Sequence, residues 1–153
     1  MFRFRQWLAL FLMAGCVAAA TAGELHRKIV VVEDDNGMAR SIRRLLKANG
    51  YETALFESAE SALKAGASGD CFVLDINLAG MSGADLQVAI SLRDGDAPVV
   101  LITADDRPAM RERARLSGTP YLVKPFPSGA ILEAINKVSA RDLTPGSGAH
   151  HVV

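Results

Sequence analysis

From residue 28 onward the chain alternates short apolar runs with stretches in which apolar residues recur every three or four places. KIVVV, residues 28–32, is β-branched and unbroken, the pattern of a strand buried on both faces. MARSIRRLLKANG, residues 38–50, sets Met38, Ile42, Leu45 and Leu46 at helical spacing and stops at Asn49-Gly50. YETALF, residues 51–56, alternates like a less buried strand. Residues 58–65 read as a short helix with Ser58 or Glu57 near its start and Gly66 and Gly69 beyond it. Three further units follow: CFVL (71–74) before a helix near 84–93, APVVLI (97–102) before 107–116, and YLV (121–123) before 128–138. Five strand-helix units predict an α/β fold, a five-stranded parallel sheet with helices on both faces. Each crossover must return to the same end of the sheet, and does so right-handed.

The two ends of the chain fall outside this alternation. Residues 1–26 carry a short basic head, an apolar middle and a small-residue end at Ala20, Thr21 and Ala22, the layout of a secretory signal peptide, and Met13 to Cys16 loosely match a lipoprotein cleavage box. The apolar run at 7–22 is shorter than the roughly 20 residues a spanning helix wants. Arg3 and Arg5 before it are matched by Arg27 and Lys28 after it, so basic residues assign no orientation. Residues 1–26 are therefore set apart as a signal-like or anchor-like segment, residues 27–141 as the single domain, and residues 142–153 as a flexible tail in which His150 and His151 are solvated. No stretch is left over for a second domain.

Composition narrows the classes. With 50% of its 153 residues apolar, the chain can bury a core without staples. Seventeen basic and seventeen acidic residues cancel, leaving no global field to draw it to nucleic acid. The two cysteines, Cys16 and Cys71, lack metal-ligand spacing, and Cys71 reads as core.

Laid parallel, the strands bring their carboxyl ends to one edge, where ligands of open α/β sheets bind. The first run ends in Glu33-Asp34-Asp35, the third in Asp75, the fourth in Thr103 and the fifth in Lys124. Each has an ordinary explanation: Asp35 or Asn36 could cap a helix, Thr103 bond a turn, Lys124 be solvated. Together they require four coincidences on one edge. Two carboxylates about 4 Å apart repel by roughly 1 kcal/mol in water and about 4 kcal/mol at an effective dielectric near 20. Proton uptake, a basic neighbour or a hard divalent cation relieves that repulsion, and an oxygen-lined site open to water suits magnesium. A cation, a lysine, a hydroxyl and a spare carboxylate are equipped to receive a phosphoryl group, with Asp75 as nucleophile.

In this order, KIVVVEDD, VLDINLAGMSG, VVLITA and YLVKPF resemble the blocks of the response-regulator receiver domain of two-component signalling, over about residues 27–141. The resemblance implies a flavodoxin-like doubly wound sheet of order 2-1-3-4-5. It implies that Asp75 is the phosphoacceptor, taking a phosphoryl group from a sensor histidine kinase or a histidine phosphotransfer protein. It also implies that Mg²⁺, with Mn²⁺ as a substitute, is held by Asp34, Asp75 and the backbone carbonyl of Asn77, with Glu33 acting through water. Asp35, one place beyond the acidic pair, is assigned to a cap. Thr103 corresponds to the hydroxyl that moves to the phosphoryl group, Ala104 to its small neighbour, Lys124 to the phosphoryl-binding lysine and Tyr121 to the aromatic switch. The bond before Pro125 is expected to be cis. The Asn77 side chain and Asp105 are placed to tune dephosphorylation. One departure stands out, Leu78-Ala79 where the family often has Met-Pro, and Gly83 is expected to serve either a positive backbone angle or a close approach. Pro108 suits the first turn of the fourth helix.

The resulting expectation is a stand-alone phosphorelay switch, not an enzyme, that remodels the face of the fourth helix, fifth strand and fifth helix for a protein output partner, with a phosphorylation-dependent homodimer left open and no nucleic-acid partner. A receiver-shaped binding module that never takes phosphate is one alternative. A magnesium-dependent phosphohydrolase of the haloacid dehalogenase type is another, opposed by Asn77 where such enzymes place a second aspartate. The expected location is the cytoplasm, where ATP feeds a kinase. Residues 7–22 are then an inner-membrane anchor or the product of a misplaced start, the latter preferred.

Overall fold

A computed structural model describes residues 27–141. The readings of residues 1–26 and 142–153 lie outside the described residues. The elements run β1 (Lys28–Val32), α1 (Asn36–Ala48), β2 (Glu52–Phe56), α2 (Ala59–Lys64), β3 (Cys71–Asp75), α3 (Gly83–Asp94), β4 (Val99–Thr103), α4 (Pro108–Ser117), β5 (Tyr121–Val123) and α5 (Ser128–Arg141). All neighbouring strands are parallel, in the order β2-β1-β3-β4-β5. This is the flavodoxin-like, doubly wound arrangement.

Strand periodicity divides the core. Ile29 and Val31 of β1 join Cys71, Val73, Val100 and Ile102 under Ile42 and Leu46 of α1 and Ile131 and Ile135 of α5. Val30 and Val32 join Phe72, Leu74, Val99 and Leu101 under Ala59 and Ala62 of α2 and Leu86 and Ile90 of α3. Successive side chains of a strand point to opposite faces, so an unbroken apolar run supplies both layers at once. β2 lies at the sheet edge and is only partly buried, as its alternation predicts.

Local chemistry starts and stops the helices. The Asp35 carboxylate accepts from the Met38 N–H at 2.7 Å and caps α1, the ordinary role anticipated for it. Ser58 and Ser61 form a reciprocal capping box on α2, which settles its start on Ser58. Ser82 caps α3, and Pro108 opens α4 where its missing N–H costs nothing. Of the two roles anticipated for Gly83, the close approach holds: a Cβ there would lie 2.1 Å from the Asp75 carbonyl oxygen, and its φ is not positive. The β3–α3 loop thus folds back directly onto the end of β3.

Candidate functional site

Register gathers the polar strand ends. Val32 pairs with Leu74, Asp75 with Ile102 and Thr103 with Val123, so the last residues of β1, β3, β4 and β5 stand side by side. Glu33 follows β1 immediately, Lys124 follows β5, and Asp75 and Thr103 end their own strands. The four groups that the sequence scatters over more than ninety residues therefore share one cleft.

Lys124 ties the acids together. Its Nζ donates to Glu33 Oε2 at 2.6 Å and to Asp75 Oδ2 at 2.7 Å. Glu33 is 2% exposed, and its other oxygen, Oε1, accepts from the Asp35 N–H at 3.1 Å. Burial pushes the Glu33 carboxyl above its ordinary range, with the Asp75 charge adding to the rise and the bonds from Lys124 and the Asp35 amide opposing it. Burial alone would pull the Lys124 ammonium down, but its bonds to Asp75 and Glu33 outweigh this and raise it, so it stays charged at neutral pH. Asp75 is 4% exposed, and its Oδ1 accepts from the Asn77 N–H at 3.0 Å. These two bonds orient the carboxylate while leaving lone pairs on both oxygens.

Asp34, in contrast, is exposed, and its carboxylate comes within 4.8 Å of those of Glu33 and Asp75. Among the described residues Lys124 is the one cation bonded to this trio, so with all three acids ionised two negative charges would be uncompensated. The donor set is all oxygen and open to water on the Asp34 side, which fits a hard divalent cation such as magnesium; manganese accepts the same ligands.

On the other flank, Thr103 is 1% exposed and its Oγ1 accepts from the Asn77 Nδ2–H at 2.9 Å and from the Asp105 N–H at 3.0 Å. The Tyr121 hydroxyl, half-buried, donates to the Asp105 carbonyl at 2.8 Å. Ala104 is exposed beside Thr103 and lines a cleft with Lys124, Pro125 and Phe126, and the Lys124–Pro125 peptide bond is cis. The candidate site residues named from the sequence thus gather at the carboxyl edge of the sheet, with Tyr121 joined to it through its bond to Asp105 and Asp35 capping α1 at its border.

Sequence reasoning missed Glu60. From the first turn of α2 it reaches the β3–α3 loop, where its Oε1 accepts from the Met81 N–H at 2.7 Å. That bond holds its carboxyl below the ordinary range. In the sequence Glu60 reads as a solvated first-turn acid. The one usable signal is Gly80, whose φ of +79° and whose closeness to Glu60 (2.6 Å from a built Cβ to Oε1) mark a tight crossing.

The chain belongs to the response regulator receiver domain family, whose model matches residues 29–136. It is 34% identical over 117 residues to nodulation protein W of Bradyrhizobium diazoefficiens, an alignment covering 74% of this chain and 52% of that protein. It is 36% identical over 120 residues to the chemotaxis protein CheY of Pseudomonas aeruginosa, covering 74% of this chain and 97% of CheY. Among solved structures it superposes on the response regulator StyR with a TM-score of 0.66 at 33% identity, over 74% of this chain and 59% of that one. The beryllofluoride-activated DrrB receiver domain, at 23% identity, shares the fold, with a TM-score of 0.69 over 76% of this chain and all (100%) of DrrB's. The chain spans about half the length of the first curated relatives it matches.

Proposed function

We propose that this protein is a phosphorelay switch that accepts a phosphoryl group on Asp75. The observation that carries this reading is the Lys124 ammonium, bonded at once to Glu33 and Asp75 beside the exposed Asp34 carboxylate. A lysine clamped this way is positioned to follow the charge from the Asp75 oxygen to the phosphoryl oxygens as the new bond forms. The donor is a phosphohistidine of a sensor kinase or phosphotransfer protein: an Asp75 oxygen attacks phosphorus in line, the P–N bond breaks, and the imidazole leaves with the electron pair and takes a proton.

Mg²⁺, or Mn²⁺ in its place, would be held by Asp34, Asp75 and the Asn77 carbonyl, with Glu33 behind, and would supply neutralisation of phosphoryl charge. The chain's own residues do the rest. The Asn77 amide and Lys124 hold the Asp75 carboxylate in one orientation. Ala104 leaves room for the incoming group, and the Thr103 hydroxyl, released from its resting partners, bonds a phosphoryl oxygen. Tyr121, tied to the Asp105 carbonyl, turns inward in response, remodelling the α4–β5–α5 face for a protein partner. Transfer stops at the acyl phosphate, apart from slow self-hydrolysis. Where a phosphohydrolase needs a second carboxylate, Asn77 offers an amide already engaged with Thr103.

The reading extends to a switch acting in the cytoplasm, as a monomer or a phosphorylation-dependent homodimer. Its test is incubation with acetyl phosphate and Mg²⁺. One phosphoryl group should appear on the parent protein and none on Asp75→Asn, with no steady turnover of p-nitrophenyl phosphate. Equal labelling of Asp75→Asn would refute the acceptor; steady turnover would make the protein a hydrolase.

A further inference from the structure

We infer that the Asn77 side chain is a latch that holds Thr103 in its resting position and so sets how readily the protein switches. This rests on the phosphoacceptor reading of Asp75 and goes beyond it, because it assigns the restraint on the switch to one hydrogen bond. The Thr103 hydroxyl oxygen accepts two hydrogen bonds, from Asn77 Nδ2–H at 2.9 Å and from the Asp105 N–H at 3.0 Å. Its own proton points to the Asp105 carbonyl at 3.4 Å, the same carbonyl that receives the Tyr121 hydroxyl at 2.8 Å. Asn77, Thr103, Asp105 and Tyr121 thus form one connected chain from the loop after Asp75 to β5. At 1% exposure Thr103 has no water to replace a lost partner, so moving its hydroxyl to a phosphoryl group requires a protein donor to let go.

The two donors are not equivalent. Asp105 N–H belongs to the β4–α4 loop, which follows Thr103 directly in the chain and can travel with it. Asn77 is anchored elsewhere: its own N–H donates to Asp75 Oδ1 at 3.0 Å, which fixes the loop that carries its amide. The Asn77 side chain is therefore the restraint that must break. It is also exposed, so its amide finds water as soon as it releases Thr103, which makes the latch reversible.

One net hydrogen bond changes a two-state equilibrium by between about twofold and tenfold. Asn77→Ala removes the donor and leaves the backbone carbonyl and N–H in place. The experiment follows Tyr121 by ¹⁹F NMR in protein carrying fluorotyrosine, in a Tyr51→Phe background so that a single signal remains. Beryllofluoride with Mg²⁺ serves as the phosphoryl probe. The parent should show a resting signal that beryllofluoride shifts. Asn77→Ala should show a larger inward fraction before the probe is added and bind beryllofluoride about twofold to tenfold more tightly. Asn77→Gln, which keeps an amide donor, should move back toward the parent. In Thr103→Val, which has no hydroxyl to hold, adding Asn77→Ala should change nothing further, the non-additivity expected of a shared bond.

If Asn77→Ala matches the parent in both readouts while the parent responds to beryllofluoride, the latch is refuted and the phosphoacceptor reading stands. An equal effect of Asn77→Ala with and without the Thr103 hydroxyl would also refute it. A parent whose Tyr121 signal ignores beryllofluoride would remove the functional reading and the latch together.

Discussion

At the scale of single residues, the site is governed by which charges are buried and which are left open. Glu33 and Lys124 are enclosed and bonded to each other, while Asp34 faces water. Tyr121, on the flank, has its ionisation shifted by burial and by neighbouring charges together. Burial, then the charges of Asp106 and Asp105, raise its phenol above the ordinary 10.0, with Arg111 and Arg107 opposing. A raised folded value means that the protonated phenol favours the folded state. This contribution is complete below 10.0 and is lost as pH rises through the folded value. In Tyr51→Phe protein, absorbance should show the remaining phenol titrating above 10.0, and Asp106→Asn should bring it down. A Tyr121 titration at or below the ordinary value would contradict the packing described around it.

At the scale of elements, the loop after β3 decides how well Asp75 is presented, and it is held at both ends. Gly83 lets α3 begin against the Asp75 carbonyl, and Glu60 of α2 holds the Met81 N–H. Because Glu60 has its carboxyl lowered by that bond, the tie is present above 4.5 and is lost as pH falls through the lower folded value. Glu60→Ala should speed hydrogen exchange at the Met81 amide several-fold while leaving the exchange of core β3 amides unchanged. Unaltered exchange at Met81 would mean that the loop is held by its own geometry. Such a contact is of a kind that sequence hides. KIVVV and CFVL declare themselves as strands because period-2 burial on both faces demands unbroken apolar residues, and Ser58 declares a helix start through its hydroxyl. The strand-end positions of Glu33, Asp75, Thr103 and Lys124 follow from the same alternation, so the core of the site was legible. The partner of Glu60 is twenty-one residues away across a loop, and the Asn77 amide meets Thr103 from another strand end. No periodicity encodes either. Helix ends moved by a residue or two for a similar reason: the caps at Asp35 and Ser82 depend on which side chain reaches an N–H.

At the scale of the whole molecule, two apolar layers hold the sheet rigid while its carboxyl edge carries three acids against a single bonded lysine. Among the described residues no helix is long and apolar enough to cross a membrane. An edge with excess negative charge should make global stability depend on divalent cation, since a ligand that binds only the folded state stabilises it by about 2.7 kcal/mol at a hundred times its dissociation constant. Saturating Mg²⁺ should therefore raise the melting temperature of the parent by several degrees. Asp34→Asn should lose most of that rise while melting near the parent when no cation is added, because its side chain is exposed. An equal rise in both proteins would place the cation away from this edge.

The central claim is that Asp75 is the group that forms the acyl phosphate, and chemical trapping tests it most directly. Protein treated with acetyl phosphate and Mg²⁺ is reduced with borohydride, which converts a phosphorylated aspartate to homoserine, and is then mapped by peptide mass spectrometry. The account predicts homoserine at position 75 and at no other acid of the cleft. Homoserine at position 34, 5-hydroxynorvaline (the reduction product of a glutamyl phosphate) at position 33, or neither anywhere after phosphoryl uptake, would contradict it.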